Sequence, residues 1–150
     1  MRFCRLDTQS CHLHIVKKAL EVLERLGDVV LLAPRFYLAK VFFLSGLTKL
    51  HDWSNTIYLF TEEYHVPVIP PELAAGMSTM VELSCPVLLV LGLGTRLAAL
   101  PMLAMTAVIE FTYLDHFEHY YWAMLLGILL CFGAGRFSVD YWVRKKYLSA

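Results

Sequence analysis

The chain has 150 residues, enough for one domain, and 58% of them are hydrophobic, above the roughly 45–50% of ordinary soluble domains. Its 13 Lys and Arg balance 13 Asp and Glu, so no basic field for nucleic acid exists. The apolar surplus falls between residues 29 and 135, which points to a membrane protein.

Residues 1–28 lack the apolar stretch of a signal peptide, since Asp7, Glu21, Glu24 and Asp28 interrupt them, and they are too acidic for a transit peptide. Leu13, Val16, Leu20 and Leu23 recur at helical spacing there, with Lys17, Lys18, Glu21, Glu24 and Arg25 between them. This pattern predicts an amphipathic helix, either lying on the inner membrane surface or packed on the rest of the protein. Four apolar segments follow, near 29–48, 73–95, 97–114 and 120–136. Each is close to the roughly 20 residues that cross a bilayer. The first, RFYLAKVFFLSGLTKL, holds Arg35, Lys40 and Lys49. A central cation costs about 3 kcal/mol on insertion scales and each Leu or Phe returns about 0.5. This span therefore needs neighbouring helices or snorkelling side chains. After it, Trp53, Ile57, Phe60 and Tyr64 share one face of a short helix folded onto the outer mouth. Pro70 and Pro71, followed by Glu72, start the second span. In GLGTR, Gly94 ends that helix and Thr95 is the candidate N-cap of the next. GAGRFS closes the fourth span, and Ser138 caps a short basic helix within 137–150.

Direction follows from the cations. Ten of them lie in the N-terminal segment, the 94–97 hairpin and the C-terminus, and only Lys49 lies on the opposite side. The reading is an all-α four-transmembrane-helix bundle of the cell inner membrane, multi-pass, with both termini cytoplasmic. Its membrane domain is 29–136, and both flanks are amphipathic. A soluble helical bundle is the alternative.

By depth, Lys40 is near the midplane, level with Glu82, while Lys49 and Glu110 lie nearer the outer end. Arg35 is close enough to the cytoplasm to snorkel. The expectation is that Lys40 or Lys49 neutralises Glu82 and Glu110 inside the bundle. Such a pair either fixes helix register or lines a polar cavity for a small ligand or proton. Arg35, Phe42, Gly46 and Lys49 share one helical face, where Gly46 permits close approach.

The stretches RFYLAKVFFLSGLTKLHDW, EYHVPVIPPELAAG, ELSCPVLLVLGLGTRLAAL and, more weakly, HYYW with GAGRFSVD resemble the DoxX family of four-helix membrane proteins. The resemblance covers about residues 30 to 142. It maps family positions onto Arg35, Ser45, Gly46, Lys49, Asp52, Trp53, Pro67, Glu82, Gly92, Thr95 and Arg96. Lys40 and Glu110 depart from the apolar residues usual at their positions. By resemblance the chain is a redox-linked membrane subunit near the quinone pool, in complexes handling sulfur, thiol or oxidative stress.

A quinone head group needs hydrogen-bond donors and a proton route. Arg35 or Lys49 can donate, Glu82 can relay protons, and Phe36, Tyr37, Phe42 and Phe43 can stack or simply pack. Lys40, Arg96 and Glu110 complete the candidate set. Cys85 and Cys131 can reach similar depth, as inert core thiols or as a redox pair. Cys4 and Cys11 lie on the reducing side. His51, His65, Asp115, His116, Glu118 and His119 lie in the outer loops without metal-specific spacing, so no metal is expected. No haem, flavin or nucleotide motif is present, so a redox cofactor would be a diffusible quinone or belong to a partner. Whether the chain catalyses a reaction itself is left open. Two other functions fit the same charges: a small-solute or lipid carrier, and a membrane scaffold recruiting soluble oxidoreductases. A homo-oligomer or a hetero-complex with a redox partner is expected.

Overall fold

The computed structural model describes residues 5–64, 68–112 and 117–147, and the side chains of 5–13 and 112 lie outside that description. Pro67, His65, Asp115, His116, Cys4 and the Cys11 and Leu13 side chains therefore fall outside it. The described residues form helices and no strand: α1 (Arg5–Val30), α2 (Leu32–His51), α3 (Trp53–Glu62), α4 (Pro71–Leu91), α5 (Thr95–Thr112), α6 (Phe117–Phe132) and α7 (Val139–Tyr147). The all-α expectation holds. Helices α2, α4, α5 and α6 fall on the four apolar segments, although α6 ends at Phe132 because GAGRFS forms a turn. The helical run His14–His51 and helix α4 are long and apolar enough to cross a membrane, while α6 is apolar but has 16 residues.

Helix α2 packs on α4, α4 on α5 and α5 on α6. Their shared core holds Leu38 and Phe42 from α2, Cys85 and Leu89 from α4, Met102 from α5, and Leu126 and Leu129 from α6. Gly46 lets α2 and α4 meet: a Cβ there would stand 2.9 Å from a Leu83 methyl and 3.0 Å from the Glu82 Cβ. The close approach brings the Glu82 side chain against α2.

Helix α3 folds back over one end of α4, with Phe60 6% exposed between Ala74, Ala75, Ile57 and Tyr64. Trp53, expected on the same face, is exposed. Asp52 caps α3 by accepting from the Asn55 amide at 3.0 Å.

Helix α1 runs almost directly into α2, because the Leu31 amide still donates to the Gly27 carbonyl at 3.0 Å. From residue 14 to 30 it is exposed except at Asp28. Ile15, Val16, Leu20, Leu23 and Leu26 are each more than half exposed, so its apolar side is not packed on the bundle.

The opposite end from α3 carries the basic residues. Here α4 stops at Gly92, whose φ of 67° is left-handed and whose amide donates back to Leu88 and Leu89. A Cβ at Gly92 would also stand 2.6 Å from the Ser138 Cβ and 2.7 Å from an Arg35 nitrogen. Thr95, expected to cap α5, does not. It is fully buried, and its hydroxyl makes no hydrogen bond among the described residues. Asp140, from α7, does the capping instead, accepting from the Gly94 amide at 2.8 Å and the Thr95 amide at 3.1 Å. A carboxylate is the stronger acceptor for these amides, and it ties α7 to the α4–α5 turn. Ser138 does cap α7, accepting from the Tyr141 amide at 3.2 Å.

Candidate functional site

Toward the α3 end of the bundle, α2 and α4 close a polar ring. Ser45 and Lys49 lie one turn apart on α2, on the face that carries Gly46, and Glu82 reaches them from α4. The Lys49 ammonium lies 2.7 Å from both Glu82 carboxylate oxygens and donates to the Ser45 hydroxyl at 3.0 Å. Ser45 in turn donates to Glu82 at 3.2 Å. The Glu82 side chain is 3% exposed and that of Lys49 is 16%. Burial at this level makes the pair strong only because each oxygen and each ammonium proton has a partner. Pro86, inside α4, brings no amide hydrogen, so the Glu82 carbonyl loses its helical donor from four residues on.

Beside the ring lies a cavity of about 280 Å³ between α3, α4 and α5. Lys49 is the charged group on its wall. The rest is apolar or weakly polar: Phe60 from α3 and Tyr64 just after it, Met77 and Ser78 from α4, Pro101 and Met105 from α5. Phe60 and Tyr64 stack edge to face at 4.9 Å. Met77 and Val108 are exposed on the outer surface of the bundle and also line the cavity, so it communicates with the protein's surroundings.

The other expected site residues lie elsewhere. Lys40 does not meet Glu82. It is exposed, and makes no ion pair among the described residues. Nine residues separate Lys40 from Lys49, about two and a half helical turns, so the two ammonium groups leave α2 on opposite sides. Glu110 is placed against a histidine: its carboxylate lies 2.8 Å from the Nδ1 of His119, joining α5 to α6. Arg35 is 2% exposed and donates to four carbonyls, those of Leu89 and Val90 on α4 and of Ala134 and Phe137 beyond α6. It is buried rather than snorkelled, and its donors are spent on the backbone. Arg96 donates to the Cys131 carbonyl at 2.9 Å at the same end.

None of the expected stacking rings lines the cavity. Phe36, Tyr37 and Phe43 are exposed, and Phe42 packs edge to face on Trp122 at 5.6 Å. Cys85 is a free thiol in the core and Cys131 a free thiol on the exposed surface. The described residues hold no cluster of three or more His, Cys, Asp or Glu able to bind a metal.

The model of one protein family, DoxX, matches residues 30–114, more than half of the chain and the whole of the ring and cavity. The chain belongs to the DoxX family. It is accordingly a membrane protein, in keeping with its two long apolar helical runs. No similar curated protein and no similar solved structure was found. Within this DoxX chain the family match includes Arg35, Ser45, Lys49, Glu82 and Arg96, and ends before His119 and α7.

Sequence reasoning missed the cavity walls. The available signal was small side chains at helical spacing, Ala74 and Ser78 on α4 and Ala104 after Pro101 on α5, which leave room where two helices face each other. Lys40 offers a control for the ring. Lys40→Leu should leave thermal stability within about 0.5 kcal/mol of the parent, as for exposed positions away from any network. A large loss of stability in a thermal melt of the purified variant would mean Lys40 has a partner.

Proposed function

We propose that the chain crosses the inner membrane four times, by α2, α4, α5 and α6, with both chain ends in the cytoplasm. In this reading it is a subunit of a redox complex that takes a quinone, or a similar small apolar ligand carrying a carbonyl, into the cavity beside Lys49. Four helices on four apolar segments support the crossing number. The arginines gathered at the end away from α3 support the direction. The observation that carries the ligand reading is an apolar cavity whose charged wall residue is hydrogen-bonded to a buried carboxylate.

The residues fit such a ligand. The cavity sits just below the range of about 300–1,000 Å³ usual for ligand pockets. That suits a single-ring head group, with an apolar tail leaving past Met77 and Val108. A quinone, when bound, accepts two electrons and two protons. Lys49 would turn one ammonium proton from Ser45 to the ligand carbonyl. Glu82 would hold the remaining ammonium protons in place, and Ser45 would keep its bond to Glu82. The electrons would come from a partner oxidoreductase and the two protons from water.

The test is photolabelling of native membranes with a diazirine-bearing ubiquinone analogue, followed by peptide mapping. Label is expected on the α4 peptide around Met77 and Ser78, competed away by excess unlabelled quinone. Label spread evenly over all apolar helices, or insensitive to competitor, would remove the quinone reading. Passage of a solute across proteoliposomes would favour a carrier instead.

A further inference from the structure

At the basic end lies a second recess, of about 430 Å³, between the α4–α5 turn, the end of α6 and the start of α7. Arg96, Arg136 and Arg144 line it. Two carboxylates line it too, but both are already engaged. Asp140 accepts from the Gly94 and Thr95 amides, and Asp28 accepts from the Arg136 amide at 3.0 Å and lies 3.5 Å from its Nε. Two of the three guanidinium groups are less committed. Arg144 is exposed and has no hydrogen bond or ion pair among the described residues. Arg96 gives one nitrogen to the Cys131 carbonyl and keeps its remaining donors. Three forked cations around one concavity suit a phosphate, which takes guanidinium donors in pairs.

The same recess has an apolar side. Leu97 and Phe132 line it and are 74% and 71% exposed, on the outer surfaces of α5 and α6. An inorganic anion has no use for these two side chains, whereas a phospholipid has acyl chains to lay along them. We propose that this recess binds the headgroup of an anionic phospholipid of the cytoplasmic leaflet. The phosphate lies among Arg96, Arg136 and Arg144, and the acyl chains descend over Leu97 and Phe132. The assignment rests on the membrane orientation proposed above. Phe137 and Trp142, at the same end of the chain's fold, are exposed, as aromatic side chains at the headgroup level commonly are.

The experiment is lipid retention by the full-length protein, purified in neutral detergent and read by native mass spectrometry. Phosphatidylglycerol, phosphatidylcholine and inorganic phosphate are added in separate titrations. The parent protein should retain phosphatidylglycerol in preference to phosphatidylcholine. Arg144→Gln, at a side chain that holds nothing else in the fold, should lower that preference about five-fold, as expected for one surface cation. Arg144→Lys should keep most of it, and Arg96→Gln with Arg144→Gln should lower it further. Equal retention of the two lipids by the parent, or an unchanged preference in Arg144→Gln, overturns the site. Displacement of phosphatidylglycerol by millimolar inorganic phosphate overturns the lipid assignment in favour of a free anion. Sedimentation of the parent with membranes, and its need for detergent, report separately on the membrane reading, and quinone labelling near Ser78 reports separately on the ligand cavity.

Discussion

Glu82→Leu is expected to cost the fold about 3–5 kcal/mol, the usual price of leaving one member of a buried ion pair alone. Lys49 would keep only the Ser45 hydroxyl, at 3.0 Å, with its side chain 16% exposed. Glu82→Gln should cost less, because the amide oxygen still accepts from Ser45 and Lys49 while the charge is lost. Removing both charges should undo most of the damage. Lys49→Met with Glu82→Leu replaces the pair by apolar side chains of similar length, and such exchanges are commonly neutral or stabilising by about 1–4 kcal/mol. Thermal unfolding in detergent of the parent, Glu82→Leu, Lys49→Met and the double variant, arranged as a double-mutant cycle, measures the coupling. A double variant as unstable as Glu82→Leu would show that the ring is not what the two residues contribute. The same double variant separates stability from function. If it folds at parental stability and still labels with quinone at Ser78, Lys49 is not the ligand's donor.

The sequence made the helices legible because each apolar segment is bounded by strong stop signals, Pro70 and Pro71 at one and the Gly-rich GLGTR and GAGRFS stretches at others. It also made legible the α2 face, since Arg35, Phe42, Gly46 and Lys49 keep a seven-residue rhythm and all four are buried or nearly so. The error over Lys40 was one of depth as well as angle. Gly46, and not Lys40, is level with Glu82, since a Cβ on Gly46 would stand 3.0 Å from the Glu82 Cβ, and Lys40 lies six residues, about 9 Å, further along α2 on another side of the helix. Helical spacing from Gly46 alone would have chosen Lys49. Two features could not be read locally. Asp140 caps α5 from 45 residues away, and the nearer Thr95 satisfies every local rule for that position without doing so. The cavity exists because Ala74, Ser78 and Ala104 face one another, and that depends on how α4 and α5 rotate, which spacing within one helix does not determine.

Arg35 should prove the least replaceable residue of the bundle. Its four acceptors lie 54, 55, 99 and 102 residues along the chain, two on α4 and two beyond α6. The Leu89 and Val90 carbonyls belong to the last turn of α4, where the regular helical donors run out; Leu89 also accepts from the Gly92 amide at 3.1 Å. Hydrogen bonds to a charged group contribute about 1.5–3 kcal/mol each, and stranded buried acceptors add their desolvation cost. Against a total stability of about 5–15 kcal/mol, Arg35→Leu is expected to abolish accumulation of folded protein. Arg35→Lys is the informative change. An ammonium offers its protons from one point and can serve either the α4 carbonyls or the Ala134 and Phe137 carbonyls, but not both pairs. The variant should fold with a stability loss of about 3 kcal/mol. Its amides from Gly133 to Asp140 should exchange with deuterium faster than the parent's, while α2 and α4 around Glu82 stay protected. Gly92 reinforces the point, because an added Cβ would stand where the Arg35 nitrogen already is. Parental stability and exchange in Arg35→Lys would mean that a single charge, and not the fork, holds α4 to the turn after α6.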